Sequence, residues 1–326
     1  MSESLETANP LLSIDTGFRS YLDAYTRSYE KHLSGGQLDY AFESDYAVRQ
    51  KISGLGGWGR LSRAISSGDI SAEAKHLFMK CDQAGALKYP AIYNIAKKCA
   101  ERLELNLPIV FIRTDIDKPL VYSFDSELID PCIVLSDWVV KVLSEDELNM
   151  LIGAECGRLQ NGHSVYNWAF TYLNYNKNVY VPAERTFKPA VNSQLVRSLI
   201  EWIKYADITA DRAAMICLDE PGRFCEIVCS MYNKGFVDFY GRTAESMKAS
   251  ALLDLSEAYS SQNARALKPD SSLTDLERRV LASNEFLKCD LLCDWRADLE
   301  RKPQGQRINS QTCDVRSSML LGTGGQ

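Results

Sequence analysis

Histidine is scarce in this chain: 326 residues contain three, His32, His76 and His163. Imidazole is the usual nitrogen donor of zinc enzymes, so few residues are left from which to assemble such a site. Positive charge is also short, with 37 Lys and Arg against 43 Asp and Glu, a net charge of −6 and a pI near 5.3. Binding to phosphate backbones or anionic lipid needs clustered cations, so nucleic acid and a charged membrane surface are excluded as general partners. The longest apolar run, from Pro131 to Leu143, is broken by Asp137 and Lys141 and falls short of the roughly 20 residues of a bilayer span. The start, MSESLETANP, has neither a basic region nor an apolar one, which gives no secretory signal. No Pro, Gly or Ser-rich linker divides the middle of the sequence.

Hydrophobic residues make up 45% and charged residues 25%, the composition of a globular protein with a sizeable core. Ten cysteines without an export signal read as reduced thiols in the cytoplasm. Cys225 with Cys229 and Cys289 with Cys293 are each four residues apart. Such pairs could form a four-thiolate zinc site or, more simply, line the buried faces of helices as small apolar residues.

Phe18, Leu22, Tyr25 and Tyr29 predict an amphipathic helix over about 15–34, stopped by Gly35 and Gly36. Gly54, Gly56 and Gly59 have the G-x-G-x-x-G spacing of a dinucleotide loop. That loop should follow a buried strand, whereas AVRQKIS is charged and helix-like, so the reading preferred is a turn requiring positive φ. Helix is predicted over about 71–103. Next come three short apolar runs, PIVFIRT, PLVYSF and PCIVLS, which predict a small sheet. Helices follow near 145–160, 163–177, 192–218, 222–234, 244–261 and 274–297. The fold class expected is α+β, predominantly helical. Its parts are an N-terminal helical extension (1–70), a main domain (71–300) and a flexible C-terminal tail (301–326) that could serve as a docking segment.

The informative stretch is LSEDELNMLIGAECGRLQNGHSVYNW, residues 143 to 168. Ser144 and Glu147 form a capping box, and Leu148, Leu151, Ile152 and Cys156 give the helix an apolar face. Some fifty residues on stands WIKYADITADRAAM, from Trp202. Together these segments resemble the HtpX-like and CAAX-prenyl-protease-like zinc metallopeptidases of the gluzincin type. Those proteins carry LS-x-x-E-L, then H-E-x-G-H, then N-G-H, and later W-x-x-x-x-E-x-x-A-D-R-A. The resemblance spans about residues 75 to 235 and implies a central helix bearing two zinc-binding histidines with a general-base Glu between them.

Carried over residue by residue, the first ligand falls on Ala154, the general base on Glu155 and the second ligand on Arg158. The third ligand, a Glu in the family, falls on Asp207, and the supporting Asp on Asp211. Ala154 offers no donor, and Arg158 brings a permanent positive charge to the place of a cation. His163 lies beyond the helix end, where relatives do not use it as a ligand. The resemblance therefore implies a degenerate HExxH with a vestigial Glu155, no metal and no cofactor. A zinc ion would return only if the site were remodelled. Arg158 is expected to bridge Asp207 and Glu155 as a substitute for the metal.

The functional expectation is a pseudoprotease, not an active enzyme, that binds a protein or peptide partner. By analogy with active relatives, the strand Leu120, Val121, Tyr122, Ser123 and Phe124 would be the peptide-binding edge. Two alternatives stand beside it: a zinc-dependent endopeptidase with a remodelled site, and a helical assembly protein with only superficial resemblance.

Overall fold

The computed structural model describes residues 31–173, 193–238, 241–243, 251–261, 273–301 and 303–322. The chain divides at Asp39/Tyr40 into two units. In the described part of the first, β1 (Leu33–Ser34) and β2 (Gln37–Leu38) pair antiparallel. Gly35 and Gly36 have φ of +60° and +82°, the left-handed pair that a two-residue hairpin turn demands. Most of the helix expected over 15–34 lies outside the described residues; at its described end Leu33 and Ser34 form a strand instead.

The second unit is predominantly helical around one sheet. It opens with α1 (Glu43–Ser53) and α2 (Trp58–Ala64). A π-helical turn, Ile65–Ile70, leads from α2 into α3 (Ser71–Lys80). Of the three glycines in the dinucleotide-like spacing, Gly54 caps α1 at φ −82° and Gly59 lies inside α2. Positive φ occurs at their neighbour Gly57, +92° at the N-cap of α2. These glycines are the punctuation between two helices, with no strand before them.

The sheet has the order β3 (Asp82–Gln83), β4 (Ile109–Arg113), β6 (Ile129–Ser136), β5 (Val121–Ser126), with α4 (Pro90–Arg102) between β3 and β4. β4 and β6 run parallel, and β3 and β5 are antiparallel edge strands. The three apolar runs of the sequence are β4, β5 and β6. The fourth strand escaped notice because Asp82 and Gln83 carry no apolar alternation.

After the short α5 (Asp137–Val142) comes α6 (Glu145–Gln160), started by the capping box of Ser144 and Glu147. Residues Glu147 to Gly153 and Glu155 to Leu159 are all buried, so α6 is the central helix, enclosed on every side. Next are α7 (Ser164–Leu173), α8 (Ser193–Cys217) and α9 (Phe224–Asn233). The last four are α10 (Leu252–Ser261), α11 (Asp275–Phe286), α12 (Asp290–Trp295) and α13 (Ser310–Leu320).

The expected division at residue 70 is corrected. Phe42, Ile52, Ile65 and Ile70 are buried in the same core as Phe111, Phe124, Trp202 and Leu281, so the chain from Tyr40 onward is one body. The expected flexible tail is corrected as well. Residues 310–320 are α13, capped by the Asn309 side chain on the Thr312 N–H and packed on α11. No described helix is long and apolar enough to cross a membrane.

Candidate functional site

α6 and α8 lie unusually close, and glycine is the reason. A Cβ on Gly153 would stand 2.7 Å from Cys217 Cβ and 3.2 Å from Ala214 Cα, and one on Gly157 would stand 2.3 Å from Ala213 Cβ. Only glycine on α6, facing alanine and cysteine on α8, lets the two backbones approach this far. That approach brings the AECGR turn against the ADITAD turn.

Arg158 sits between the two segments. Its Nε lies 3.3 Å from Glu155 Oε1, and its Nη2 donates to Asp207 Oδ1 at 2.9 Å. The other face of Asp207 belongs to cations that the sequence reading did not connect with it. Arg242 Nη2 stands 2.7 Å from Asp207 Oδ2 and Arg279 Nη1 3.8 Å from the same oxygen. Arg279, on α11, also grips Asp211 with two hydrogen bonds of 2.8 and 2.7 Å. Arg242 is steadied by Asp238, whose carboxylate accepts from both the Arg242 N–H and Nε. Ser123, on β5, donates to Glu155 Oε2 at 2.6 Å.

Among the described residues this is a cluster of four carboxyls (Glu155, Asp207, Asp211, Asp238) and three guanidiniums (Arg158, Arg242, Arg279). Asp207 has no exposure at all, and Glu155 and Arg158 have 5% and 8%. Burial pushes the Asp207 carboxyl up, but Arg242, Arg279 and Arg158 outweigh it and hold the group well below the usual carboxylate range. Glu155 goes the other way: burial raises it, and Arg158 and Ser123 offset only part. Asp211 is raised by burial too, despite Arg279. Burial thus works against the charge on Glu155 and Asp211, while three guanidiniums favour the charged form of Asp207.

A zinc ion does not fit this donor set. It needs three deprotonated protein ligands; Ala154 has none, and a guanidinium cannot become one. Among the described residues no group of three or more His, Cys, Asp and Glu side chains is placed to hold a metal ion. The cysteine pairs do not supply such a site: Cys225 and Cys229 are both buried on α9, Cys289 is buried, and Cys293 is only partly so.

The strand Leu120 to Phe124 occupies a sheet edge, and its middle residue Ser123 reaches the cluster. As an open rim it is corrected: Leu120 is 7% exposed, Val121 and Tyr122 4%, Ser123 3% and Phe124 0%. α6, α7 and the π-helical turn pack on it, and the Tyr122 hydroxyl donates to the buried Glu73 of α3 at 2.5 Å. The segment expected as a separate N-terminal extension thus helps to cover it. The Tyr and Asn-rich stretch over 174–189, a candidate filler of the groove, lies outside the described residues.

A second buried network stands beside the first. Asp45, on α1, accepts from Trp202 Nε1 at 2.7 Å, Arg49 Nε at 3.0 Å, Thr209 Oγ1 at 2.8 Å and His163 Nε2 at 2.8 Å. His163 therefore fastens the turn after α6 to α1 and α8, and its Nδ1 has no hydrogen-bond partner. Arg49 already neutralises Asp45, so a charged imidazole would be a surplus cation in the core. Burial lowers the His163 pKa, Asp45 opposes this in part, and Arg49 and Arg158 add to it. A histidine held neutral in the fold costs no stability above its ordinary value of 6.5 and loses stability as pH falls below it. The melting temperature is expected to drop on acidification below pH 6.5, and His163→Gln, which keeps a donor for Asp45, to flatten that slope. An unchanged slope in calorimetry would assign the acid sensitivity elsewhere.

The body is mostly helical with one small sheet around a central buried helix, and one distant likeness supports a metallopeptidase-like relationship. Among curated proteins it is similar to the plastoglobule-localized metallopeptidase 48, chloroplastic, of Arabidopsis thaliana, with 24% identity over 226 residues. That match covers 68% of this chain and 61% of the relative, so the chain spans about three fifths of the length of the protein it matches. No family model matches the chain, and no solved structure matches it.

Proposed function

We propose that this chain is a catalytically inactive metallopeptidase homologue, a pseudoprotease that works by binding a protein or peptide partner. One observation carries the reading: Arg158, at the position to which the family resemblance would give a zinc-binding histidine, has its guanidinium ion-paired to Glu155 and to Asp207. A fixed cation there repels a metal ion, and a general base bound to it and to Ser123 is not free to activate water. The similarity to a protein named as a metallopeptidase supports the ancestry; the inactivity is our inference from the residues.

The burial of Leu120 to Phe124 shapes the binding half of the proposal. A peptide adding to that edge would have to displace what covers it, so a partner that binds without such movement uses another face. Ten free cysteines suit any reducing compartment, either the cytoplasm expected from the sequence or a plastid interior such as the relative's name gives for that protein.

The test is metal content by mass spectrometry after purification in zinc-supplemented medium, for wild type and the Ala154→His/Arg158→His variant. Wild type is expected to carry far less than one zinc per chain, and the variant to gain zinc towards equimolar. Near-equimolar zinc in the wild type, together with cleavage of an unstructured protein substrate, would replace this proposal with a remodelled endopeptidase.

A further inference from the structure

α2, the π-helical turn and α3 form one unbroken helical run from Trp58 to Lys80. Its buried side is a stripe of Trp58, Leu61, Ile65, Ile70, Ala74 and Leu77. Neighbours in the stripe are three or four residues apart except Ile65 and Ile70, which are five apart. The wider π turn absorbs the extra residue and keeps the stripe on one face. On the opposite side stand Arg60, Arg63, Ser67, Ala72, Lys75 and Met79, all exposed, and Lys80 ends the run exposed as well.

The chain carries a net charge of −6, yet this face is cationic. The acids of the run are Asp69, half-buried, and Glu73, which is buried and accepts from the Tyr122 hydroxyl. Among the described residues none of Arg60, Arg63, Lys75 and Lys80 is ion-paired. Elsewhere surface cations find carboxylates: Lys98 and Arg102 meet Asp219, Arg223 meets Asp146 and Arg301 meets Asp294. Helix stability does not account for the arginines either. The first turn is the positive end of the macrodipole, where anions are favoured and cations are not. Arg60 stands in that turn with no acidic residue in it and no side-chain cap at Gly57, and Arg63 follows in the next.

We propose that the outward face of the Trp58–Lys80 helix is a docking surface for an acidic segment of a partner protein, with Arg60, Arg63 and Lys75 meeting its carboxylates and Met79 covering an apolar residue beside them.

This deepens the binding half of the reading above and supplies a face that needs no displacement of what covers Leu120 to Phe124. From Arg60 to Lys75 the line is roughly 20–25 Å long at 1.5 Å per residue, the reach of a few turns of a partner helix. Its middle is Ser67, Gly68 and Ala72, small enough for a partner backbone to lie close. A lipid surface is the poorer fit, because a helix lying on lipid turns several large apolar side chains towards it. Here those side chains face the core. Met79 is the outward exception at 67% exposure, and Phe78, half exposed, rests edge-on against Phe111.

The experiment measures fluorescence anisotropy of a labelled peptide of about 20 residues, Glu and Ala with a central Leu, long enough as a helix to span the ridge. It is titrated with the full chain beside a peptide in which Gln replaces Glu. The Glu peptide is expected to bind and the Gln peptide not, with binding lost between about 0.1 M and about 1 M salt as the screening length falls from about 10 to about 3 Å. Arg60→Glu and Lys75→Glu should each weaken binding, and the pair together by at least about tenfold. Arg301→Glu makes the same change in net charge in the segment after α12 and should leave binding unaltered. These sites are exposed, so the variants should melt with the wild type, and the neutral pair Arg60→Gln/Lys75→Gln gives an independent set. Four results overturn the proposal: equal affinity for the two peptides, an equal loss in Arg301→Glu, tighter binding to phosphatidylglycerol vesicles than to the Glu peptide, or a wild-type dimer in sedimentation velocity that Arg60→Glu/Lys75→Glu splits. Zinc content is indifferent to all four, so the docking face and the lost metal site can fail separately.

Discussion

Arg158→Ala is expected to lower stability by about 3–5 kcal/mol, the usual cost of stripping one partner from a buried ion pair. For a domain of this size that is a fall in melting temperature of roughly 6–20 °C. The loss will not be shared equally. Asp207 keeps Arg242 at 2.7 Å and Arg279 at 3.8 Å, so it remains a compensated anion. Among the described residues Arg158 is the cation ion-paired with Glu155, so its removal leaves that carboxyl with the Ser123 hydroxyl.

A buried carboxylate without a cation responds by taking up a proton. The Glu155 pKa is already raised in the fold by burial, and removing Arg158 raises it further. An acid whose folded pKa lies above its unfolded value is favoured while protonated, and stability is lost as pH rises from the unfolded pKa through the folded one. The penalty of Arg158→Ala should therefore be larger at pH 8 than at pH 5. Adding Glu155→Gln, which carries no charge at either pH, should remove the difference. Denaturant unfolding of the three proteins at both pH values measures this. A variant within 1 kcal/mol of wild type at pH 8 would mean that the cluster is solvated and holds nothing together.

How much of that cluster could be read in the sequence follows from how its members are encoded. Glu155, Arg158, Asp207 and Asp211 lie in two segments with recognisable spacing, and the fold brings the two together. Arg279 and Arg242 lie at positions no motif marks. A signal existed: Asp207 and Asp211 are four residues apart on one face of a helix with four Ala and four Ile, and two buried carboxyls call for cations from elsewhere. Which arginines answer depends on how α11 packs, and that is a tertiary fact.

The C-terminal helix was missed for a related reason. Its buried positions are Cys313, Ser317 and Leu320, a stripe at helical spacing with one large apolar side chain, which a search for large apolar residues passes over. Likewise Phe42, Ile52, Trp58 and Ile65 look like the core face of a separate helical extension until the sheet they cover is in view. By contrast, the capping box of α6 and the three apolar strands depend on local chemistry, and local chemistry was enough to predict them.

The second large effect is expected from a single methyl group. In Gly157→Ala the new Cβ would stand 2.3 Å from Ala213 Cβ, against roughly 3.5–4.0 Å for carbons in ordinary contact. Both carbons are anchored directly to backbone, so no rotamer change relieves the clash and the helices must part by roughly an ångström or more. Alanine is the better helix former by about 1 kcal/mol, which works against the clash. Overpacking in a filled core costs about 1–3 kcal/mol and occasionally more. Here the parting also stretches the Arg158–Asp207 bond of 2.9 Å and opens the contacts of Gly153 with Cys217 and Ala214. The net loss should therefore reach about 3 kcal/mol, at the top of that range. Ala213→Gly should rescue it, because deleting the opposing Cβ makes room for the new one on α6. The double variant is expected to fall within about 1 kcal/mol of Ala213→Gly alone, giving a large favourable coupling in a double-mutant cycle. If Gly157→Ala melts with the wild type, α6 and α8 do not touch at this point. The placement of Arg158 against Asp207 would then need a different cause.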